Sequence, residues 1–268
     1  MTQKKLTILL PNYKTPKLVK LCLHLLKKYT DMSQVHVIVI DNDSQDESLD
    51  YLRGLDWIEL IERKSQPNEA GELSHRRALD LGLERVRTPY FISIHTDTLI
   101  THPDWLSVLL NEVEGKPGVG GVGSWKLEAK PAWKNALKTL EGAVQQLFSR
   151  ISGKQHRIVG KDGNYYFLRS HCALYRKDLF DQLNLRFSDG DECAGKLVHK
   201  ALVDAGFKMV FLPSDYLGRY MDHLNHATLI LNPEREGLKT ASAKDYRKMQ
   251  RKLKALQADA ILADNSLD

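Results

Sequence analysis

Short apolar runs alternate with helical patterns over the first hundred residues. Residues 6–10 form an apolar stretch of strand length. Thr15-Pro16 then opens a helix, with Thr15 at the N-cap and Pro16 at the first helical position. Leu18, Leu21, Cys22, Leu25 and Leu26 give that helix an apolar stripe. A second strand, rich in β-branched residues, is predicted over 35–40, and Asp43, Ser44 and Asp46 punctuate the turn into a short helix. A third strand over 58–61, a helix over 72–84 and a fourth strand over 90–94 complete the series. This β-α-β-α-β-α-β order implies a parallel, doubly wound sheet.

Beyond His95 the pattern loosens. It predicts a helix over 105–112 and a Gly-rich strand with close backbone approach over 119–122. An amphipathic helix follows from Pro131 to about Ile151. Strands over 165–168 and 173–175 precede a helix over 177–183. A helix over 192–205, closed by Gly206, and a strand over 208–212 come next. The tail from 241 to about 262 reads as a helix with a basic face.

Composition sharpens this picture in three places. The chain has 268 residues, enough for one large α/β domain with a small appendage and a core that needs no staples. The formal charge of +5 is local: residues 234–254 hold eight Lys/Arg against three Asp/Glu. The rest is near balance, which argues against a nucleic-acid protein with a basic face spread over its core and favours an anionic contact near the C-terminus. Cys22, Cys172 and Cys193 are far apart and odd in number. They fit a reducing cytosol better than a disulfide scaffold or zinc ribbon. The 6–10 run is too short for a signal-peptide core, and no stretch approaches the roughly 20 apolar residues that span a bilayer. The expectation is a cytoplasmic protein that, if it works at a membrane, sits on the inner face.

Ligands of an open parallel sheet bind beyond the carboxyl ends of its strands. Those ends read Pro11-Asn12-Tyr13, Asp41-Asn42-Asp43-Ser44, Asn68-Glu69-Ala70-Gly71 and His95-Thr96-Asp97-Thr98. Polar and acidic groups therefore gather on one edge. Neither GxGxxG nor GxxxxGK[ST] is present, so dinucleotide and P-loop readings lack their phosphate cradle. A divalent cation held by carboxylates can manage a phosphate instead.

These residues resemble the family 2 glycosyltransferases of the GT-A fold, over roughly 6–125 and again over about 165–230. Pro11-Asn12-Tyr13 is similar to the family's first turn. The segment from Val39 to Asp46 is similar to its "V-D-[DN]-x-S-x-D" stretch, whose first Asp, here Asp41, contacts the nucleotide base. Asn68, Gly71 and His75 fall near its "N-x-G" turn, with Gly71 one residue late and His75 near a usual Asn. His95-Thr96-Asp97 occupies the D-x-D position. The first acid is a histidine there, so Asp97 alone carries over as metal ligand. Asp189-Gly190-Asp191-Glu192 resembles the segment that supplies the catalytic base. His223-Leu224-Asn225-His226 looks like the late histidine region that completes the metal shell.

The resemblance implies an α/β, mostly parallel, Rossmann-like sheet flanked by helices, with a C-terminal helical tail. Residues 1–125 would be the nucleotide-sugar half, 126–232 the acceptor and base half, and 233–268 the basic tail. It implies an inverting transfer from a nucleotide-diphosphate sugar to a glycan or lipid-linked acceptor, in polysaccharide assembly. Asp191 would be the base. Pro11, Asn12, Tyr13, Asp41, Asn68, Gly71, His75, His95 and Thr96 would bind the donor. Asp97 and His223 would hold Mg²⁺ or Mn²⁺. The tail would give a peripheral membrane contact.

Plainer roles stand beside these. Asp41 or Asp43 can form an Asx-turn, and the acids at 189–192 can complement a helix N-terminus. His75, His223 and His226 can be structural, while His171 and Cys172 are expected only to pack. The long helix from Pro131 can be core or an acceptor-facing element. A nucleotidyltransferase of the same fold would want a Gly-rich basic loop where Pro11–Thr15 stands. A degenerate, non-catalytic partner that binds sugar nucleotide or scaffolds an assembly is the reading the histidine at position 95 keeps open.

Overall fold

The computed structural model describes residues 4–125, 127, 158–159, 165–225, 227 and 243–268. The expected helix from Pro131 to Ile151 and His226 lie outside them. Four parallel strands, β1 (Leu6–Asn12), β2 (Val35–Asn42), β3 (Glu59–Arg63) and β4 (Tyr90–Ile94), are linked by helices α1 (Pro16–Tyr29), α2 (Glu47–Arg53) and α3 (Gly71–Arg85). After β4 come β5 (Thr98–Ile100), α4 (Trp105–Leu110), β6 (Val119–Gly123), β7 (Ile158–Val159), β8 (Tyr165–Tyr166), β9 (Cys172–Arg176), β10 (Lys208–Phe211) and β11 (Met221–His223). Further helices cover Lys177–Gln182, Lys196–Asp204, Ser214–Leu217, Ala243–Ala255 and Ala258–Leu262.

The main sheet has seven strands in the order β10-β6-β9-β4-β1-β2-β3. β9 alone runs antiparallel, between β4 and β6. Both faces are covered, which is why β1 and β2 read as near-continuous apolar runs, interrupted by Thr7 and His36. Leu6, Ile8, Leu10, Val35, Val37 and Val39 pack toward α1 and α4, while Leu9, Ile38 and Ile40 pack toward α3. Two glycines permit close approach. A Cβ on Gly82 of α3 would come within 2.9 Å of the Leu9 side chain, and one on Gly123 of β6 would meet the Cys172 carbonyl oxygen at 2.5 Å. The latter is the close backbone approach expected of the Gly-rich strand.

Several local expectations are revised. Thr15 occupies the N-cap of α1 but makes no cap bond. Its hydroxyl donates to Asn12 Oδ1 at 3.2 Å, so it ties the preceding turn instead. Asp46 does cap α2, accepting from Ser48 N at 3.0 Å. The helix expected over 192–205 begins only at Lys196, because Gly195 sits at φ +84. A Cβ there would lie 2.9 Å from the Leu168 carbonyl oxygen. The tail helix is broken at Gln257, φ +53. The short strands β5 and β11 pair antiparallel in a ribbon of their own, which the apolar pattern does not announce. Tail residues Met249, Ala258 and Ile261 are buried in the same core as β1 and α1. No helix of the described residues is long and apolar enough to cross a membrane.

Candidate metal centre and donor cleft

β1, β2 and β4 run parallel, so their carboxyl ends open on one edge. At the end of β1, Asn12 is fully buried, with its amide nitrogen 3.0 Å from Asp41 Oδ1, 3.1 Å from Ser44 Oγ and 2.9 Å from Ser48 Oγ. Asp41 is 2 % exposed, and its other oxygen accepts from Ser44 N at 3.0 Å. Asn12 and Asp41 thus lock the β1 and β2 turns together. Pro11 and Tyr13 flank Asn12 and are half-buried. Asp43 stands above, at φ +66 and half-buried, accepting from Ser65 N at 3.3 Å.

A second network closes the β2–β3 side. Arg63 donates two bonds of 2.6 Å to Glu69, with side chains 6 % and 2 % exposed. Arg63 also donates to Asn42 Oδ1 at 2.7 Å, and Arg77 adds a bond of 2.7 Å to Glu69. Burial would push the Glu69 carboxyl up, but the two guanidinium groups outweigh it and hold it below the usual range. Between these partners, Asn68 is exposed at φ +60, and Gly71 is exposed at the start of α3. The sequence reading missed this network, since nothing local pairs Arg63 with Glu69.

His95-Thr96-Asp97 follows β4. Thr96 is buried, its hydroxyl 3.5 Å from that of Thr15. The β5–β11 ribbon sets His223 opposite Thr98, and Leu224 N donates to the Asp97 carbonyl at 2.9 Å. His223 Nε2 therefore lies 3.3 Å from Asp97 Oδ1, and His95 Nδ1 lies 3.9 Å from it. One ligand atom from each of the three lies within 4.8 Å of the other two. Asp97 Oδ1 is buried with the His223 ring nitrogen facing it at 3.3 Å, and His223 Nδ1 has no hydrogen-bond partner. A buried carboxylate oxygen is costly unless a donor or a cation meets it. These residues fit a divalent ion.

Four more histidine contacts frame the triad. His171 stacks on His223 with ring centres 4.8 Å apart, and its Nε2 lies 3.1 Å from Ser124 Oγ. His95 Nε2 lies 3.0 Å from Ser170 Oγ, and His75 meets His95 edge-on at 4.9 Å. Burial pushes His95 down to about 4 and His75 down to about 3, and His171 is lowered likewise. Neutral imidazoles are the form that binds metal. Burial would raise Asp97, but His223, His95 and His171 together hold it below the carboxylate range. His171 thus packs against a member of the triad. The Ile94↔Cys172 register that brings it there is not readable from sequence.

The segment 188–195 docks on α3. Arg76 donates to the carbonyls of Ser188, at 3.4 Å, and of Gly190, and the Cys193 thiol lies 4.0 Å from Glu72. Among its acids, Glu192 pairs with Lys196 at 2.9 Å and Asp189 accepts from Arg186 N at 3.3 Å. Asp191 is exposed, with neither an ion pair nor a hydrogen bond among the described residues.

The model of the family described as glycosyl transferase family 2 matches residues 7–183. No curated protein matches the chain in sequence. The mannosyltransferase PcManGT from Pyrobaculum calidifontis, in complex with GDP-Man and Mn²⁺, superposes with a TM-score of 0.58 at 15 % identity, covering 98 % of this chain and 71 % of that one. S. aureus TarS 1–349 in complex with UDP-GlcNAc gives 0.54 at 16 % identity, covering 97 % and 71 %. Likeness at this identity concerns the fold, which is that of the expected α/β class.

Proposed function

The chain belongs to glycosyl transferase family 2, and on that premise we propose that it transfers a sugar from a nucleotide-diphosphate sugar to an acceptor hydroxyl with inversion at the anomeric carbon. The observation that carries this reading is the buried carboxylate of Asp97, faced by His95 and His223 beyond the carboxyl end of β4, with one ligand atom of each residue within 4.8 Å of the others. Two neighbours of the fold hold GDP-Man with Mn²⁺ and UDP-GlcNAc, whose shared chemistry is a nucleoside diphosphate.

Asp97, His223 and His95 would hold the cation. One carboxylate with two imidazoles suits Mn²⁺ better than Mg²⁺, which prefers an all-oxygen shell. When bound, the cation supplies neutralisation of the charge that develops on the leaving diphosphate. The turns pinned by Asn12 and Asp41 shape the floor for the nucleotide, with Pro11, Tyr13, Thr96, Asn68, Gly71 and His75 around it. Asp191 accepts the proton of the acceptor hydroxyl. The hydroxyl oxygen bonds to the anomeric carbon, the carbon–phosphate-oxygen bond breaks, and the nucleoside diphosphate leaves on the opposite face. Among the described residues Asp191 has no side-chain partner while Asp189 and Glu192 do, which supports Asp191 as the base.

A glycan or lipid-linked acceptor at the inner face of a membrane fits two features. A cavity of about 910 Å³ between α1 and the tail is lined by Leu18, Leu21, Met249 and Leu253, with Lys17, Arg251 and Lys254 beside them. Such an amphipathic basic surface suits an anionic interface. The described cysteines are free thiols, which suits the reducing side.

The test is a thermal-shift panel of nucleoside diphosphates and their sugars, with and without Mn²⁺, on wild type and Asp97→Ala. A ligand that binds only the native state raises the melting temperature by mass action. A Mn²⁺-dependent shift for one nucleotide, absent in Asp97→Ala, is expected. Folded protein that responds to no nucleotide would sink the proposal.

A further inference from the structure

His223 lies between two core residues, Met221 and Leu224, at the end of a short strand. His223 belongs to β11, a strand of three residues that, among the described residues, pairs only with the three residues of β5. Two-stranded ribbons of this length are marginal by themselves. The other side of β11 is gripped by a residue from the C-terminal tail. Lys252 Nζ donates to the His223 carbonyl oxygen at 2.8 Å and also to Asp222 Oδ1. Its side chain is 24 % exposed, and that of Asp222 is 32 % exposed. An ion pair so open to water would count for little alone. The bond to the main-chain carbonyl of a ligand residue is a different matter, because it fixes the peptide from which the imidazole projects.

The tail is in turn fastened to the sheet domain. Met249 is buried on the helix that carries Lys252, and Ala258 and Ile261 are buried beyond it. His24 Nδ1 of α1 lies 2.9 Å from the Ile261 carbonyl. The terminal Asp268 is 2.8 Å from His24 Nε2 and accepts from Lys20 at 3.2 Å. The tail helix therefore spans from α1 to the ligand strand, with the ammonium of Lys252 at the far end.

We propose that Lys252 is a positioning residue for the cation site and that the basic tail serves, through it, to hold His223 in register with Asp97. The inference rests on the reading of His95, Asp97 and His223 as a cation site. It gives the tail a task inside the catalytic half, independent of any membrane contact.

The experiment measures Mn²⁺ binding to the full chain from the electron paramagnetic resonance signal of free Mn²⁺, with Mn²⁺ as the only ligand. Variants are Lys252→Met, Lys252→Gln, Lys252→Arg, His223→Ala and Lys248→Met, the last an exposed lysine on the same helix. Loss of a partner that orients a ligand weakens metal binding about 10–100-fold. Lys252→Met and Lys252→Gln should fall in that range, with metal-free melting temperatures close to that of Lys248→Met. Lys252→Arg, which keeps a donor for the carbonyl, should recover most of the affinity. Transfer assays should show a raised Mn²⁺ requirement with kcat restored at saturating Mn²⁺. Wild-type Mn²⁺ affinity in folded Lys252→Met or Lys252→Gln overturns the proposal, while lost affinity in His223→Ala keeps the cation site itself. Wild-type affinity in His223→Ala overturns the cation reading instead.

Discussion

Replacing Glu69 by Gln leaves the Arg63 guanidinium, whose side chain is 6 % exposed, facing a neutral amide in a closed pocket. Two charge-assisted bonds of 2.6 Å become at most one ordinary bond, and Arg77, which keeps Gln66 as an acceptor, loses its charged partner. Breaking one partner of a buried ion pair costs about 3–5 kcal/mol, because the other charge stays buried. Gln keeps one acceptor, and Asn42 still accepts from Arg63, so about 3 kcal/mol is expected. For a chain of this size that lowers the melting temperature by roughly 6–12 °C. The control is Glu62→Gln, whose bond to Arg53 has a similar length of 2.8 Å but side chains 51 % and 42 % exposed. Its expected cost is below about 1 kcal/mol. The carboxyl of Glu69 titrates lower in the folded state than its ordinary 4.5. Its contribution is therefore complete above that pH and is lost as pH falls through the depressed folded value. Urea melts at pH 7 should separate wild type from Glu69→Gln, and the gap should narrow on acidification below 4.5. Equal midpoints for Glu69→Gln and Glu62→Gln at pH 7 would refute the assignment of strength to burial.

Two further outcomes follow from the geometry. Asp191→Asn should keep donor binding and lose about 10²–10⁴-fold in kcat, the usual worth of a general base; an unimpaired enzyme in a steady-state transfer assay removes Asp191 from that role. Gly123→Ala forces a Cβ to within 2.5 Å of the Cys172 carbonyl and should cost about 1–3 kcal/mol in a denaturant melt, whereas Gly118→Ala, whose Cβ meets nothing within 4 Å, should be near neutral.

The parallel half was legible because each buried strand is a short apolar run and each crossover helix carries its own stripe. The ends of β1, β2 and β4 could be read as a cleft on that basis, and Asp97 and His223 do come together. What escaped the sequence depends on pairing across long separations. β5 and β11 have three residues each, too few for a period-2 signal. His171 reaches the site only through the register of β9 against β4. The Arg63–Glu69 bridge joins a strand end to a loop. The delayed start of the helix at Lys196 turns on one left-handed glycine that looks ordinary in sequence. The basic run of the tail suggested only an exposed face, yet Lys252 points inward because Met249, one turn earlier, is drawn into the core.

The β5–β11 ribbon joins residues 98–100 to 221–223. During synthesis the β1–β4 crossovers are made first and can condense from neighbouring segments. Asp97 then waits for a strand more than a hundred residues further along the chain. A nascent chain can thus have its first parallel strands in place before His223 can meet Asp97.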